Sequence, residues 1–462
     1  MPRTELWRRT DDGGLSLDFH KGQLAVWDSA ARFTFMIAGT QGGKTVFGPW
    51  WLHREIYGPT IGRGAGDYLA VTSSYDLFKL KMLPAIREVF EQVWHCARYW
   101  AGDSVLELKD PSTGKFWASR SDDTMWGRII LRSASSKGGL ESATAKGAWL
   151  DECGMADFRL DDWEAVQRRL ALHEGRALGT TTPYNLGWLK SEVYDRHRAG
   201  DPFINVVQFS SMENPAFPKR SYDRAAETMQ AWKFNMFYRA MFEKPASLIL
   251  GAWDAERGYI APVPISPYWD HYIGWDFGGV HMASVWAAFD AENRALYVYK
   301  VTLRGGDSTG EHAEWGLKQQ RDTWARIVRQ ATVIEGDAEK LAKIDPLFYH
   351  VGGSGSEVQW RRDFGVGGLG IYKPRVSGVE EGIDKIVAIL KEKAPGGLYL
   401  FNDDPGCKSL RDDMLSYSRK VDALGDPTEE IESKNTWHRI DALRYLCTAL
   451  PVAGAVKGST WL

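Results

Sequence analysis

The chain has 462 residues, of which 44% are hydrophobic and 25% are charged, and its 57 basic and 60 acidic residues nearly balance. This composition is typical of a globular protein and excludes a disordered or fibrous one, and no apolar run approaches the ~18 residues needed to span a bilayer. The amino end lacks the apolar core of a secretory signal, and four cysteines without a CxxC pair favour a reducing cytosol over a zinc ribbon or a disulfide framework.

Two domains are predicted from the distribution of prolines. Four prolines fall between Lys244 and Tyr268, and strongly patterned segments flank this stretch. Because proline fixes φ and removes an N–H donor, the stretch indicates a connector. We expect a first domain at 1–245, a connector at 246–267 and a second domain at 268–462.

Strands and helices alternate in the first domain, which predicts an α/β fold with a mostly parallel sheet and helices on both faces. Short β-branched and aromatic runs indicate the strands, and longer amphipathic segments indicate the helices. The strands are expected at 32–39, 67–74, 127–135, 146–152 and 175–183, and the helices at Lys44–Tyr57, 77–94 and 162–172.

The second domain begins with three strands in quick succession, and the tight DAEN turn between the last two indicates a hairpin. A long helix and a fourth strand follow, after which strands and helices alternate. The strands are expected at 271–279, 282–290, 295–306, 331–337, 369–374 and 398–403, and the helices at 310–330, 379–393 and 436–450.

The segment AGTQGGKT, residues 38–45, follows a strand and opens a helix, as a phosphate-binding loop does. Lys44 is expected to reach the β- and γ-phosphates of a nucleotide, and Thr45 to bind Mg²⁺. Ala38 departs from the usual glycine, and a glycine-rich turn that happens to carry a lysine is the alternative. The residues predicted to surround the phosphates are Thr40, Gln41, Gly42, Gly43, Lys44 and Thr45.

A second element of this site is GAWLDECG, in which an apolar strand ends at Asp151 and Glu152. Ligands of open α/β sheets bind at the carboxyl ends of the strands. Asp151 is expected to hold Mg²⁺ directly or through water, and Glu152 to act as general base for the attacking water. The alternative, a strand that ends in two solvated acids, is weakened by the phosphate-binding loop upstream.

Two further contacts are left open. Gln23 could pair with the edge of adenine while Phe19 stacks on it, or both could belong to an ordinary helix entry. The hydroxyls of GTTTP, 179–183, could sense the γ-phosphate, or the segment could be a turn closed by Pro183.

Three acids of the second domain suggest a metal site. Asp276 ends the first predicted strand, Asp337 ends the fourth, and Asp441 stands early in the last helix. Carboxylates that converge in this way can hold two cations about 3.5–4 Å apart for in-line attack on a phosphodiester. Glu335 shares a strand face with Asp337, and His438 lies close to Asp441 on its helix. The alternative is a set of unrelated surface acids.

With these motifs in this order, the chain resembles the large terminase subunit of tailed bacteriophages over nearly its whole length. The marks are AGTQGGKT, GGLESATAKGAWLDE, GTTTP and the acids of GWDFG, IEGD and HRIDALRYL. The resemblance implies an ASCE-type ATPase domain followed by a ribonuclease H-like nuclease domain with a mixed sheet. It implies ATP and Mg²⁺ at Lys44 and Thr45, and Mg²⁺ or Mn²⁺ at the nuclease acids.

One departure concerns an arginine that, in many relatives, precedes the acidic strand and acts on a neighbouring subunit. Here GGLESATA carries Glu141 and no arginine. The arginine that acts on the neighbouring subunit would then come from another position or be absent. The candidates are Arg128, Arg132, Arg168 and Arg169.

The function implied is ATP-driven movement of double-stranded DNA into a procapsid, with cleavage of concatemeric DNA. The implied partners are the portal protein, the small terminase subunit and further copies in a ring on the procapsid, with a monomer possible in solution and no membrane. The implied location is the cytoplasm of the infected host, transiently at the portal vertex, and not the mature virion. The alternatives are a helicase-like repair ATPase fused to a nuclease, and an ATP-switched DNA-binding scaffold with an inactive nuclease.

Overall fold

The computed structural model describes residues 6–12, 14–116, 125–134, 144–278, 281–354, 357–376, 378–394, 396–422 and 426–451, without the side chains of 335, 338 and 342. The chain forms two compact units, Met1–Leu248 with Ser418–Ser433 and Ile249–Tyr417 with Lys434–Leu462. The sequence analysis did not anticipate that 418–433 belongs with the first unit. Within the described residues no helix is long and apolar enough to cross a membrane.

The first unit is built on an eight-stranded mixed sheet with the order β10-β3-β9-β8-β4-β7-β6-β5, in which the pairs β7–β6 and β6–β5 are antiparallel and the other five pairs are parallel. Its strands are β1 (Trp7–Arg9) and β2 (Leu15–Leu17), which pair with each other outside this sheet, then β3 (Phe33–Ala38), β4 (Gly66–Thr72), β5 (Ala97–Trp100), β6 (Val105–Leu108), β7 (Gly127–Ser133), β8 (Gly147–Asp151), β9 (Arg176–Thr181) and β10 (Ile204–Phe209). Its helices are α1 (Lys21–Trp27), α2 (Lys44–Tyr57), α3 (Tyr75–Leu77), α4 (Leu83–Arg87), α5 (Leu160–Ala171), α6 (Asp195–Arg198), α7 (Lys219–Thr228) and α8 (Ala231–Phe237).

Both faces of the central strands are buried, which explains why β3 and β8 are continuous apolar runs. On one face the core includes Trp51 of α2, and on the other it includes Trp163 of α5. Helix α2 lies directly against β8, because a Cβ on Gly48 would stand 2.0 Å from the ring of Trp149. This close approach brings the start of α2 to the carboxyl end of β8.

The second unit is built on a six-stranded mixed sheet with the order β11-β16-β14-β13-β12-β15. Strands β12, β13 and β14 form the antiparallel meander that the sequence predicts, and β15 pairs in parallel with β12. Its strands are β11 (Tyr259–Ile260), β12 (Asp270–Asp276), β13 (Met282–Asp290), β14 (Ala295–Arg304), β15 (Phe348–Gly352) and β16 (Gly397–Phe401). Its helices are α9 (Ala255–Gly258), α10 (Thr309–Glu335), α11 (Ala338–Ala342), α12 (Val358–Val366), α13 (Val379–Leu390), α14 (Pro405–Ser416) and α15 (His438–Ala449).

Helix α15 packs on β12 at unusually short range. A Cβ on Gly274 would stand 1.9 Å from the carbonyl oxygen of Ala442, so only glycine fits there. The contact holds the beginning of α15 beside the end of β12.

A hairpin of β17 (Arg419–Val421) and β18 (Pro427–Ile431) follows α14 and belongs to the first unit. There Gln230 donates to Asp426 at 2.6 Å, and Lys233 donates to the carbonyl of Asp422 at 3.2 Å. The hairpin is therefore held at the α7–α8 region.

Two strands predicted in the second domain are wrong. Residues 331–335 of ATVIEGD continue α10, which starts with a Ser308–Glu311 capping box and ends at Gly336 with φ +75°. Residues 369–374 form no strand and contribute one bridge, Val351 with Tyr372. On the edge of β12 away from β13, the neighbouring strand is β15, which was not among the predicted strands.

Candidate active sites

The predicted phosphate-binding loop, within residues 38–45, connects β3 to α2. Ala38 is the last residue of β3 and pairs with Phe209, which explains why alanine fits where glycine is usual. Gly39 is packed so closely that a Cβ would stand 2.4 Å from the carbonyl oxygen of Tyr238. The loop then turns through left-handed residues at Gln41 (φ +55°) and Gly43 (φ +82°), and α2 begins at Lys44. The amino end of α2, with its positive partial charge, is thus presented to the loop.

Lys44 is buried at the centre of this site. Its ammonium donates to the carbonyls of Ala38 at 3.1 Å and Gly39 at 3.0 Å, and to the hydroxyl of Thr182 at 2.9 Å. Burial lowers the pKa of Lys44, and the carboxylates of Glu152 and Asp151 oppose this effect. The lysine therefore lies between the phosphate-binding loop, the acidic pair and the GTTTP segment.

Asp151 is brought to Thr45, as the sequence analysis predicts for two ligands of one cation. The Thr45 hydroxyl is 3.1 Å from Asp151 Oδ2, and Thr180 donates to Asp151 Oδ1 at 2.8 Å. Burial, and after it the charge of Glu152, raises the pKa of Asp151 to about 7. A divalent cation would counter this shift, because positive charge favours the ionised carboxylate. The donor set of one hydroxyl and one carboxylate suits Mg²⁺, which binds few protein oxygens and keeps several waters.

Glu152 follows β8 with φ +52°, a left-handed conformation that is uncommon outside glycine. Its N–H donates to the carbonyl of Thr180 at 2.7 Å, and its Oε2 accepts from the hydroxyl of Tyr184 at 3.0 Å. Burial and the neighbouring carboxylate raise the pKa of Tyr184 well above its usual value, so the phenol is the donor. The sequence analysis missed Tyr184, although its place directly after GTTTP could have suggested it.

The hydroxyls of GTTTP do reach the site. Thr180 bonds Asp151, and Thr182 accepts from Lys44 and donates to the carbonyl of Ala38 at 3.1 Å. Contact with a γ-phosphate stays a prediction for these residues.

Gln23 supports the loop itself. Its Nε2 donates to the carbonyl of Gly43 at 3.2 Å, and its Oε1 accepts from the N–H of His20 at 3.2 Å. Phe19 packs edge-on against Phe47, with ring centroids 5.0 Å apart. The contact of Gln23 and Phe19 with adenine stays a prediction.

Arg128 and Arg132, the first two candidate arginines, lie on β7 and have partners within the chain. Arg128 forms a bidentate pair with Asp67 at 2.9 and 3.0 Å, and Arg132 donates to the carbonyl of Leu131 at 2.8 Å. The other two, Arg168 and Arg169, lie in the last turn of α5. Glu141 lies outside the described residues.

In the second unit, Asp276 and Asp441 come together at the contact between β12 and α15. Asp276 Oδ2 is 2.8 Å from His438 Nδ1, and Asp441 Oδ1 accepts from Arg444 at 3.1 Å. Burial raises the pKa of Asp276 to about 6; the His438 hydrogen bond opposes this, and Asp441 and Glu357 add to it. Burial also raises the pKa of Asp441, against the effect of Arg444. A cation close to these partly buried acids would favour their ionised forms.

Asp337 does not lie on the sheet. It is an exposed residue that caps α11, with its carboxylate accepting from the N–H of Lys340 at 3.0 Å. The strand predicted to carry Asp337 and Glu335 to the other acids is the end of α10 instead. The structure therefore gives no support for placing Asp337 with Asp276 and Asp441.

Glu357 is the third acid near Asp276. The parallel register places Gly352, the end of β15, beside Trp275. The chain then turns at Gly353 with φ +72°, and Glu357 Oε2 accepts from the N–H of Ser354 at 2.5 Å. The signal for Glu357 was the short run FYHVG followed by a glycine-rich turn, too brief to be recognised as a strand. Within the described residues no three acidic, histidine or cysteine side chains are already arranged to hold a metal.

Comparison with known proteins gives fold similarity only. No family model and no curated protein matches the chain. Among solved structures, it is similar to the large terminase of bacteriophage HK97, with TM-score 0.45 and 15% identity over 95% of this chain and 97% of that one. It is also similar to the large terminase of a thermophilic bacteriophage in complex with ADP, with TM-score 0.41 and 15% identity over 94% of this chain and 99% of that one.

A third similar structure is the large terminase nuclease domain of bacteriophage SPP1 with bound Mn. It has TM-score 0.27 and 16% identity over 38% of this chain and 84% of that one. The structure has an α/β fold of two units, each with a mixed sheet. The first two terminases named above are similar to it over nearly its whole length. At these identities the similarity concerns the fold.

Proposed function

We propose that this protein is an ATP-driven motor that moves double-stranded DNA into a viral procapsid and carries a metal-dependent endonuclease. The observation that carries the proposal is the assembly of Lys44, Thr45, Asp151 and Glu152 around one end of the parallel sheet. Thr45 and Asp151 are 106 residues apart in the sequence, yet the Thr45 hydroxyl contacts the buried Asp151 carboxylate. A glycine-rich turn that carries a lysine by chance would not explain this contact.

The residues divide the work of ATP hydrolysis. The N–H groups of the loop and the ammonium of Lys44 bind the β- and γ-phosphates, and Glu152 accepts a proton from the attacking water. Mg²⁺, held by Thr45 and Asp151, would neutralise the charge that develops on the phosphate oxygens. Thr182 touches Lys44, so it is suited to report whether the lysine is engaged by phosphate.

The nuclease is proposed to use Asp276, Asp441 and Glu357, and not Asp337. Two of these carboxylates, Asp276 and Asp441, are partly buried close to each other, and Glu357 stands at the beginning of α12. Mg²⁺ or Mn²⁺ bound there would activate water and stabilise the leaving oxygen of a phosphodiester. His438 orients Asp276 through the contact to its Oδ2.

The proposed role in DNA packaging is supported by the order of the two sites along the chain, with the proposed ATPase site before the proposed nuclease site. A motor that accepts every sequence should grip DNA mainly through phosphates. The portal protein, procapsid and small terminase subunit are the proposed partners, in a ring of several copies.

The test is a set of three assays on the purified protein: ATP hydrolysis with and without procapsids, ATP-dependent strand separation, and plasmid cleavage with Mg²⁺ or Mn²⁺. Procapsid-stimulated hydrolysis together with cleavage is expected. Glu152→Gln should bind ATP and fail to hydrolyse it. Strand separation without procapsids would favour a helicase-like repair enzyme, and ATP binding without cleavage would favour a scaffold with an inactive nuclease.

A further inference from the structure

The proposed general base, Glu152, is held by a residue outside the motifs. Tyr184 follows Pro183 directly after the GTTTP segment, and its hydroxyl donates to Glu152 Oε2 at 3.0 Å. A glutamate side chain has three rotatable bonds and can point its carboxylate in many directions. A donor on a fixed ring removes much of this freedom, because the hydrogen bond requires one arrangement of the carboxylate.

We propose that Tyr184 is a positioning residue for ATP hydrolysis, one that holds the Glu152 carboxylate so that its second oxygen faces the attacking water. This inference rests on the proposed ATPase function. Tyr184 acts through Glu152 and does not itself touch the reacting atoms. Of the two carboxylate oxygens of Glu152, the Tyr184 hydroxyl bonds only Oε2, so the hydrogen bond orients the base and leaves Oε1 to the attacking water.

The ring of Tyr184 is fixed from the side of the phosphate-binding loop. It packs edge-on against Phe237, with centroids 5.6 Å apart and planes at 66°. The carbonyl of Phe237 in turn accepts from the N–H of Thr40 at 2.6 Å. Glu152 and the phosphate-binding loop are therefore connected through one aromatic contact at the end of α8. A shift of the loop on nucleotide binding would be passed to the base by this route.

If the Tyr184 hydroxyl only stabilised the fold, its removal would have different effects from those expected for a residue that positions Glu152. If the hydrogen bond only stabilised the fold, its removal would lower the melting temperature and leave the turnover number unchanged. If it orients the base, its removal should lower kcat, and the KM for ATP and the affinity for a non-hydrolysable ATP analogue should stay the same.

The experiment measures kcat, KM, analogue affinity and melting temperature for the wild type, Tyr184→Phe, Glu152→Gln and the double variant. For Tyr184→Phe we expect kcat to fall about 10- to 100-fold, as for a lost hydrogen bond to a charged group, with KM and analogue affinity within about twofold. In the Glu152→Gln background, Tyr184→Phe should not lower the residual rate any further, because the carboxylate that it positions is absent; this rate is measured in single-turnover assays with excess enzyme.

Tyr68→Phe is the matched control. The Tyr68 hydroxyl also donates from a buried ring, to the carbonyl of Gly64 at 2.7 Å, away from the site. Its removal should leave kcat unchanged. Phe237→Leu retains the Tyr184 hydroxyl and loosens the ring, so it should lower kcat in the same way by a smaller factor.

Two results would overturn this inference without affecting the ATPase proposal. The first is a wild type that hydrolyses ATP and a Tyr184→Phe variant with the same kcat. The second is a fall in rate caused by Tyr184→Phe that is as large in the Glu152→Gln background as in the wild type. A wild-type protein that binds ATP and does not hydrolyse it would instead overturn the ATPase proposal on which the inference rests.

Discussion

The proposed nucleotide site and the proposed nuclease site are assembled in different ways. In the first unit, Thr180 and Asp151 are direct partners on adjacent parallel strands, and the phosphate-binding loop follows the strand next to them. In the second unit, Asp276 ends a strand, Glu357 is the N-cap residue of α12, and Asp441 lies in the first turn of α15. In the first site Thr45 bonds Asp151 directly, whereas in the second Asp276 and Asp441 bond two other residues, His438 and Arg444. The difference shows that a strand–turn–helix unit sets its own geometry, whereas a site built from three separate elements depends on packing and on its ligand.

The largest expected effect separates the two sites. Lys44→Ala should reduce ATP hydrolysis on the order of 10³-fold, since it removes the charge that meets the phosphates. Plasmid cleavage should stay within about twofold of wild type, because the acids belong to the other unit. Phosphate release and plasmid nicking are the measurements. Lys219→Ala, an exposed lysine paired with Asp223 on α7, is the control. Loss of cleavage in a folded Lys44→Ala protein would contradict the separation.

The next prediction tests which acids make up the nuclease. Asp276→Ala or Asp441→Ala should reduce plasmid cleavage on the order of 10³-fold with ATP hydrolysis unchanged, because metal binding is lost. Asp337→Ala should cleave at the wild-type rate, since Asp337 is an exposed helix cap. The reverse pattern, with Asp337 required and Asp276 dispensable, would mean that this site is wrong.

Glu357→Gln is expected to have an intermediate effect. The cleavage rate should fall about 10- to 100-fold at low Mg²⁺ and recover in part at high Mg²⁺, because the loss of a ligand weakens the affinity for the metal. A metal titration of the cleavage rate measures this. Asp363→Asn, a carboxylate change on the same helix α12, should leave the titration curve unchanged. An unaltered curve for Glu357→Gln would remove Glu357 from the site.

A backbone change should weaken the nuclease indirectly. Gly274→Ala places a methyl group where the Ala442 carbonyl lies 1.9 Å away, and so forces β12 and α15 apart. We expect a loss of about 3 kcal/mol in stability and a fall in cleavage, because Asp276 and Asp441 stand on the two separated elements. Thermal melting and plasmid nicking report the two effects. Gly370→Ala, whose Cβ meets nothing within 4 Å, should change neither.

The smallest expected effect concerns pH. The pKa of Asp276 is about 6 in the folded protein and 3.8 in its ordinary state, so the folded form holds the proton more tightly. Binding of this proton contributes to the stability of the folded protein fully below about pH 4, and the contribution is lost as the pH rises through 6. Without metal, Asp276→Asn should therefore gain stability over wild type between pH 4 and 7, by of order 2 kcal/mol. Melting curves in a chelator measure it, and Mg²⁺ should reduce the difference. A wild type that is more stable than Asp276→Asn between pH 4 and 7 would contradict the raised pKa of Asp276.

Most of the first unit could be predicted because its elements are local. The run FTFMIA, the loop after it and the helix Lys44–Tyr57 are contiguous, and the helix has the predicted bounds. Asp337 was misplaced because β-branched residues at 332–334 suggest a strand. Instead they complete a 27-residue helix, with Val333 and Ile334 exposed. Glu357 and Tyr184 could not be found from spacing, since each acquires its role through a partner distant in sequence.

The return of Ser418–Ser433 to the first unit has a mechanical consequence. The polypeptide passes between the two units three times, at 248–249, 417–418 and 433–434. A load that separates the units is therefore shared by three covalent connections, where a single linker would carry it alone. A cut within 246–267 would leave two connections intact, and residues 434–451 would stay joined to the hairpin that β17 and β18 form. A fragment that starts at 249 would carry this hairpin without Gln230 and Lys233, the side chains that bind it in the whole chain.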